Sequence, residues 1–175
     1  MTTALAKQRF INTFCIVGRE KAHLDYSCKK LRAAKLTAER LEALDNDPDL
    51  AESIEAFSSR FGRMQDTMAA KLFPSFLEAQ AESAGTQLET LNRLEKLGLV
   101  ESVERWLEAR ALRNRLVHEY VEDEAKFQQD LELAQEYTKM LATCHEIIGE
   151  YALSSMQLEP AQLEMEQSQQ RGSKH

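Results

Sequence analysis

The stretch SVERWLEARALRNRLVHEY, residues 102–120, decides how the rest of the chain is read. Wound as an α-helix at about 100° per residue, it puts Trp106, Ala109, Leu112, Leu116, Val117 and Tyr120 on one stripe, with Ser102 placed to cap its start. A stripe of that kind is buried against other helices. Arg113 falls in the middle of it, where a leucine is expected. A guanidinium does not give up its proton in a protein, so burying one is costly unless something pairs with it. Either an acidic residue from another helix answers it, or the chain has a use for it.

The last turn of the same stretch adds a second reading. Asn114 and His118 are four apart, so their side chains can meet, and Arg113 and Tyr120, seven apart, share a face. Positions 113 and 118 lie about 140° apart on an ideal helix. For Arg113 and His118 to act together, the helix must loosen toward Val121-Glu122-Asp123, or a second copy must bring its own stretch alongside.

Outward from this helix, the periodicity predicts three more long helices. Residues 3–34 carry Phe10, Phe14, Val17, Leu24 and Leu31 at roughly heptad spacing, with Gly18 as a weak point where a break could fall. Thr37 caps a short helix through Leu44, ended by Asp45-Asn46-Asp47-Pro48. A helix over 49–82 presents Ile54, Phe57, Phe61, Met64, Met68 and Leu72, and Pro74 should kink it or end it near Phe73. Gly85 marks a turn, Thr86-Gln87-Leu88-Glu89 has capping-box spacing for a short helix to Leu97, and Gly98 is a stop. The last helix, about 124–153, turns Phe127, Leu131, Ala134, Leu141 and Ile148 inward.

No segment alternates like a strand. The expected fold is all-α, an up-and-down four-helix bundle with short extra helices, formed by residues 1–153. Residues 154–175, rich in Gln, Glu and Ser, are expected to be a mobile polar tail.

Composition limits the function. Only 6 Gly and 3 Pro suit a helical chain. A net charge of -7 argues against a general nucleic-acid coat, because nonspecific binding is driven by neutralising phosphates. It leaves room for a local basic site, and basic residues do gather twice: Lys29, Lys30, Arg32, Lys35 and Arg40 at what reads as a solvated helix end, and Arg110, Arg113 and Arg115 near the end of the 102–120 helix. Cys15, Cys28 and Cys144 lack metal-ligand spacing and read as buried thiols of a reduced, cytoplasmic protein. No apolar run approaches ~18 residues, so no membrane span is expected, and no secretory signal pattern opens the chain. His23, His118, His145 and His175 are scattered, which suggests no metal site, and His145 reads as a packed or edge histidine. Arg60 and Asp66 read as members of surface pairs, and the methionines as core filler.

Arg113, His118 and Tyr120 form the pattern Arg-x4-His-x-Tyr, with polar Asn114 directly after the arginine. Here the chain resembles the HEPN superfamily, in particular its HepT-like branch. The run Leu91-Asn92-Arg93-Leu94-Glu95-Lys96-Leu97-Gly98, then Trp106-Leu107-Glu108, and the stretch from Arg60-Phe61 to Gln65-Asp66 add to the likeness, which covers about residues 5–150.

The resemblance implies a HEPN-like four-helix bundle that forms a homodimer and sets two copies of the motif around one cleft. It implies a metal-independent RNA endonuclease toxin, cutting tRNA or mRNA without a cofactor and neutralised by an antitoxin of the minimal (MNT) nucleotidyltransferase type, with Tyr120 as the site of adenylylation. The residue types suit attack by the 2′-hydroxyl of RNA. His118 serves as general base or acid, Arg113 holds the phosphate, and Asn114 supports the histidine. The alternative is a noncatalytic nucleotide- or substrate-binding subunit of a nucleotidyltransferase complex. In a third reading, a helical adaptor uses the motif only for dimer packing.

Overall fold

The structure, a computed structural model, describes residues 3–118 and 123–164. Among these the chain is all helical, with no strand: α1 (Thr3–Ala34), α2 (Ala38–Glu42), α3 (Pro48–Thr67), α4 (Phe73–Ala79), α5 (Gln87–Lys96), α6 (Val103–His118), α7 (Glu124–Ser155) and α8 (Pro160–Glu164). A single 3-10 turn, Leu44–Asn46, follows α2, and a π-helical turn, Met68–Leu72, joins α3 to α4.

Local chemistry accounts for most of the helix starts. Thr37 accepts from the Arg40 amide, and Asp47 accepts from the Leu50 amide at 3.1 Å as α3 begins. Thr86 and Glu89 form a complete capping box: the Thr86 hydroxyl accepts from the Glu89 amide at 3.3 Å, and the Thr86 amide donates to the Glu89 carboxylate at 2.7 Å. The hydrogen bond from that amide holds the Glu89 carboxyl below its usual range. Asp123 accepts from the Lys126 amide at 3.0 Å where α7 starts.

Helix ends follow the sequence less closely. Gly98 stops α5 as its φ of 72° requires, and Leu99 donates back to the Leu94 carbonyl at 2.9 Å. α4 closes in the same way at Ala81 (φ 62°), with Glu82 donating to the Leu77 carbonyl at 2.9 Å. No glycine marks that turn, and α4 ends at Ala79, three residues before the end expected from periodicity. Lys35 after α1 and Gln157 after α7 also take the left-handed conformation.

Pro74 does not end the helical path, but the α-helix is interrupted just ahead of it, by the π turn Met68–Leu72. The π turn ahead of it, in which Phe73 donates to the Met68 carbonyl, lets α4 restart with Pro74 in its first turn, where the missing amide is tolerated. Gly18 does not break α1, which is continuous from Thr3 to Ala34.

The chain forms two compact units: Met1–Arg19 with Asp66–Glu101 and Thr143–His175, and Glu20–Gln65 with Ser102–Ala142. The core of the first contains Phe10, Phe14, Leu72, Phe73, Phe76, Leu94 and Ile148, with Phe10 and Phe76 edge-on at 5.7 Å. The second buries Leu24, Leu31, Phe57, Phe61, Trp106, Leu112 and Leu131, with Phe57 and Phe61 stacked at 5.9 Å. Part of the segment expected to be a mobile tail is anchored in the first unit. Met156 is buried, Lys7 donates to its carbonyl at 3.0 Å, and the Cys15 thiol donates to the Leu163 carbonyl at 3.3 Å. The remainder, 165–175, lies outside the described residues.

No helix among the described residues is long and apolar enough to cross a membrane. The three cysteines are buried thiols, and burial pushes Cys144 up to about 12.

Candidate functional site

Helix α6 carries the candidate site, inside the second unit. The Ser102 hydroxyl accepts from the Arg105 amide at 3.2 Å and its carbonyl from the Trp106 amide at 3.1 Å, which fixes the phase of everything downstream. From that start Val103, Trp106, Ala109, Leu112 and Leu116 turn inward. Val117, expected on the same stripe, is 62% exposed. It stands at the flank of the buried positions, in the final turn of the helix.

The three arginines of the α6 basic cluster have different surroundings. Arg110 is exposed. Arg115 makes a two-pronged contact with Asp130 of α7: Nε donates to Oδ2 and Nη2 to Oδ1, both at 2.9 Å. The Asp130 side chain is only 10% exposed and that of Arg115 33%. Arg115 is therefore bound into the packing.

Arg113 is half-buried, and its stem crosses α3 at Gly62. A Cβ placed on Gly62 would meet Arg113 Nε at 2.8 Å, Cγ at 3.2 Å and Cδ at 3.6 Å. One turn further along α3, buried Gln65 donates from Nε2 to the Ala109 carbonyl at 3.4 Å. Ala109 sits one helical turn before Arg113.

Asn114 is exposed, and α6 stays helical through His118, its last residue. The helix therefore does not loosen before His118. Tyr120 lies outside the described residues.

Other groups singled out in the sequence have structural surroundings. His145 is buried, stacks on Phe14 with ring centroids 4.0 Å apart, and has Nε2 at 3.1 Å from the Phe14 carbonyl oxygen. Its ring packs over Gly18, where a Cβ would lie 3.6 Å from Cε1. Arg60 reaches α1, donating to Ser27 Oγ at 2.5 Å and to the His23 carbonyl at 3.3 Å, where a surface pair was expected. In the Lys29–Arg40 group, Lys29 pairs with Asp25 at 2.6 Å, Arg32 donates to the Gln135 carbonyl at 3.3 Å, and Arg40 pairs with Asp47 at 3.2 Å. Among the described residues no three His, Cys, Asp or Glu side chains gather as a metal site would need.

Gly62 and Asp130 do not stand out from spacing or composition as site residues. Both left a signal. A glycine inside a strongly periodic helix often marks a close approach, and an aspartate beside Leu131 on an inward face calls for a cation.

Comparison of the chain with family models, with curated proteins and with solved structures returns no match.

Proposed function

We propose that the protein is a HepT-like member of the HEPN superfamily: a homodimeric, metal-independent RNA endonuclease restrained by a nucleotidyltransferase antitoxin. Its helices would form the four-helix bundle of that superfamily, and the protein would work in the cytoplasm. The observation that carries the reading is the end of α6. There a half-buried arginine is retained on a packing face, and the helix runs unbroken to the histidine five positions later.

That regularity favours a dimeric site. Positions 113 and 118 stay about 140° apart on one helix, so Arg113 of one copy and His118 of another are better placed to flank one phosphate than the pair within a monomer. Arg115, locked to Asp130, holds the intervening turn against α7.

In the proposed reaction His118 takes the proton from a ribose 2′-hydroxyl, and the 2′-oxygen attacks phosphorus. The P–O2′ bond forms as the bond to the 5′-oxygen breaks, leaving a 2′,3′-cyclic phosphate and a 5′-oxygen that takes up the proton carried by the His118 imidazolium, which returns to its neutral form. The Arg113 guanidinium offers paired N–H donors to the phosphorane oxygens as charge builds there. Asn114 orients the histidine. Adenylylation of Tyr120 by the antitoxin would put a bulky anion beside Arg113 and block the cleft.

The test is cleavage of bulk RNA and tRNA by unmodified protein in EDTA, beside Arg113→Ala and His118→Ala. Cutting that disappears in both variants supports the nuclease. Equal traces from all three proteins, with Tyr120 unmodified by mass spectrometry, refute it and favour the noncatalytic binding subunit.

A further inference from the structure

We infer that Gly62 is a positioning residue for Arg113: it opens a seat on α3 that fixes the course of the arginine side chain, and so the place where its guanidinium meets phosphate. The role in catalysis rests on the nuclease reading; the seat itself does not.

Local and tertiary preference conflict at position 62. Position 62 lies inside α3, where glycine is among the least favourable residues. Its neighbours on the buried face are large, Phe61 and Met64. Glycine has no special backbone conformation to supply in the middle of a helix, so the absence of a side chain is what matters. The space that a Cβ would fill is taken by Arg113, whose Nε lies 2.8 Å from that point and whose Cγ lies 3.2 Å from it. Three stem atoms of Arg113 lie within 4 Å of that point, so the contact runs along the side chain and does not involve its tip alone.

Gln65 locks the register of this contact. Its carboxamide donates to the Ala109 carbonyl, one turn before Arg113, which ties α3 to α6 close to where the arginine crosses. An arginine stem confined in this way loses little rotamer freedom when it binds an anion, and preorganised donors are worth more in a transition state than mobile ones.

Gly62→Ala tests the seat without breaking the fold. Alanine is the best helix former, and the atoms it displaces belong to a flexible side chain. Wild type, Gly62→Ala, Arg113→Ala and the double variant are compared by three readouts: the Arg113 Nε–H resonance (assigned by its loss in Arg113→Ala), the thermal midpoint, and RNA cleavage in EDTA.

With Arg113 absent, Gly62→Ala should raise the midpoint by about 2–4 °C; with Arg113 present, the gain should vanish or reverse. The Nε–H resonance should move. Cleavage at saturating RNA should fall about tenfold in Gly62→Ala, with no further loss in the double variant beyond Arg113→Ala. An unmoved resonance with the same midpoint gain in both backgrounds overturns the seat, even if the wild type is a nuclease. A moved resonance with unchanged cleavage overturns the catalytic role of the seat. A wild type that cuts nothing refutes the nuclease reading, and the resonance and midpoints then decide the seat alone.

Discussion

The pair Arg115–Asp130 makes an asymmetric prediction. Two N–H···O contacts of 2.9 Å join a nearly buried carboxylate to an arginine that keeps a third of its side chain in solvent. Removing either partner breaks the same two bonds, but the groups left behind differ. Arg115→Ala strands the Asp130 carboxylate, at 10% side-chain exposure, without its cation. That is the costly case of a broken buried pair, about 3 kcal/mol. Asp130→Ala leaves an arginine that can turn to water, so the loss is nearer that of the charge-assisted hydrogen bonds alone, about 1.5 kcal/mol.

Urea unfolding of the two single variants and of Arg115→Met/Asp130→Leu measures this directly. Arg115→Ala should lose about twice as much stability as Asp130→Ala, and the apolar double variant should recover much of the difference. Equal losses, or a larger loss for Asp130→Ala, would refute the reasoning from burial. The measurement also separates Arg115 from Arg113. Arg115→Ala should lower stability, with any loss of cleavage following from that, whereas Arg113→Ala should abolish cleavage in protein that remains folded.

Two further predictions concern the fold. Ala81 ends α4 with φ 62°, a conformation that strains an L side chain. Ala81→Gly should therefore stabilise the protein by about 0.5–1 kcal/mol, since relief of strain outweighs the added freedom of the unfolded chain; a lower denaturation midpoint would count against that backbone. Burial holds the Cys144 thiol up to about 12, against 9.0 for a free thiol. Between these values the unfolded chain ionises while the folded one keeps its proton. Stability then falls as pH rises, by up to about 1.4 kcal/mol per unit from this group. Cys144→Ala, though less stable overall, should show a shallower decline between pH 9 and 12; matching slopes would refute the assignment.

Features under short-range control are legible in the residues alone. Apolar residues at three- and four-residue steps identified the inward faces, and Phe10, Phe14, Phe57, Phe61, Leu131 and Ile148 are all buried as that spacing requires. Thr37, Thr86 and Ser102 identified helix starts, because a cap satisfies amides within three residues of itself. Gly98 identified a stop, because its backbone needs a conformation other residues resist.

Tertiary structure decided the features that depend on partners distant in the chain. Ala81 and Gln157 take the left-handed conformation just past α4 and α7 although nothing in their identity predicts it. The π turn before Pro74 keeps a helical path that proline alone would have cut. At the candidate site, the sequence placed Arg113, Asn114 and His118 on one helix and marked Arg113 as out of place on its stripe. It could not supply the reason. Gly62 lies fifty-one positions earlier and Asp130 fifteen positions after Arg115, and only the packing of α3 and α7 against α6 makes one arginine a tether and gives the other a seat.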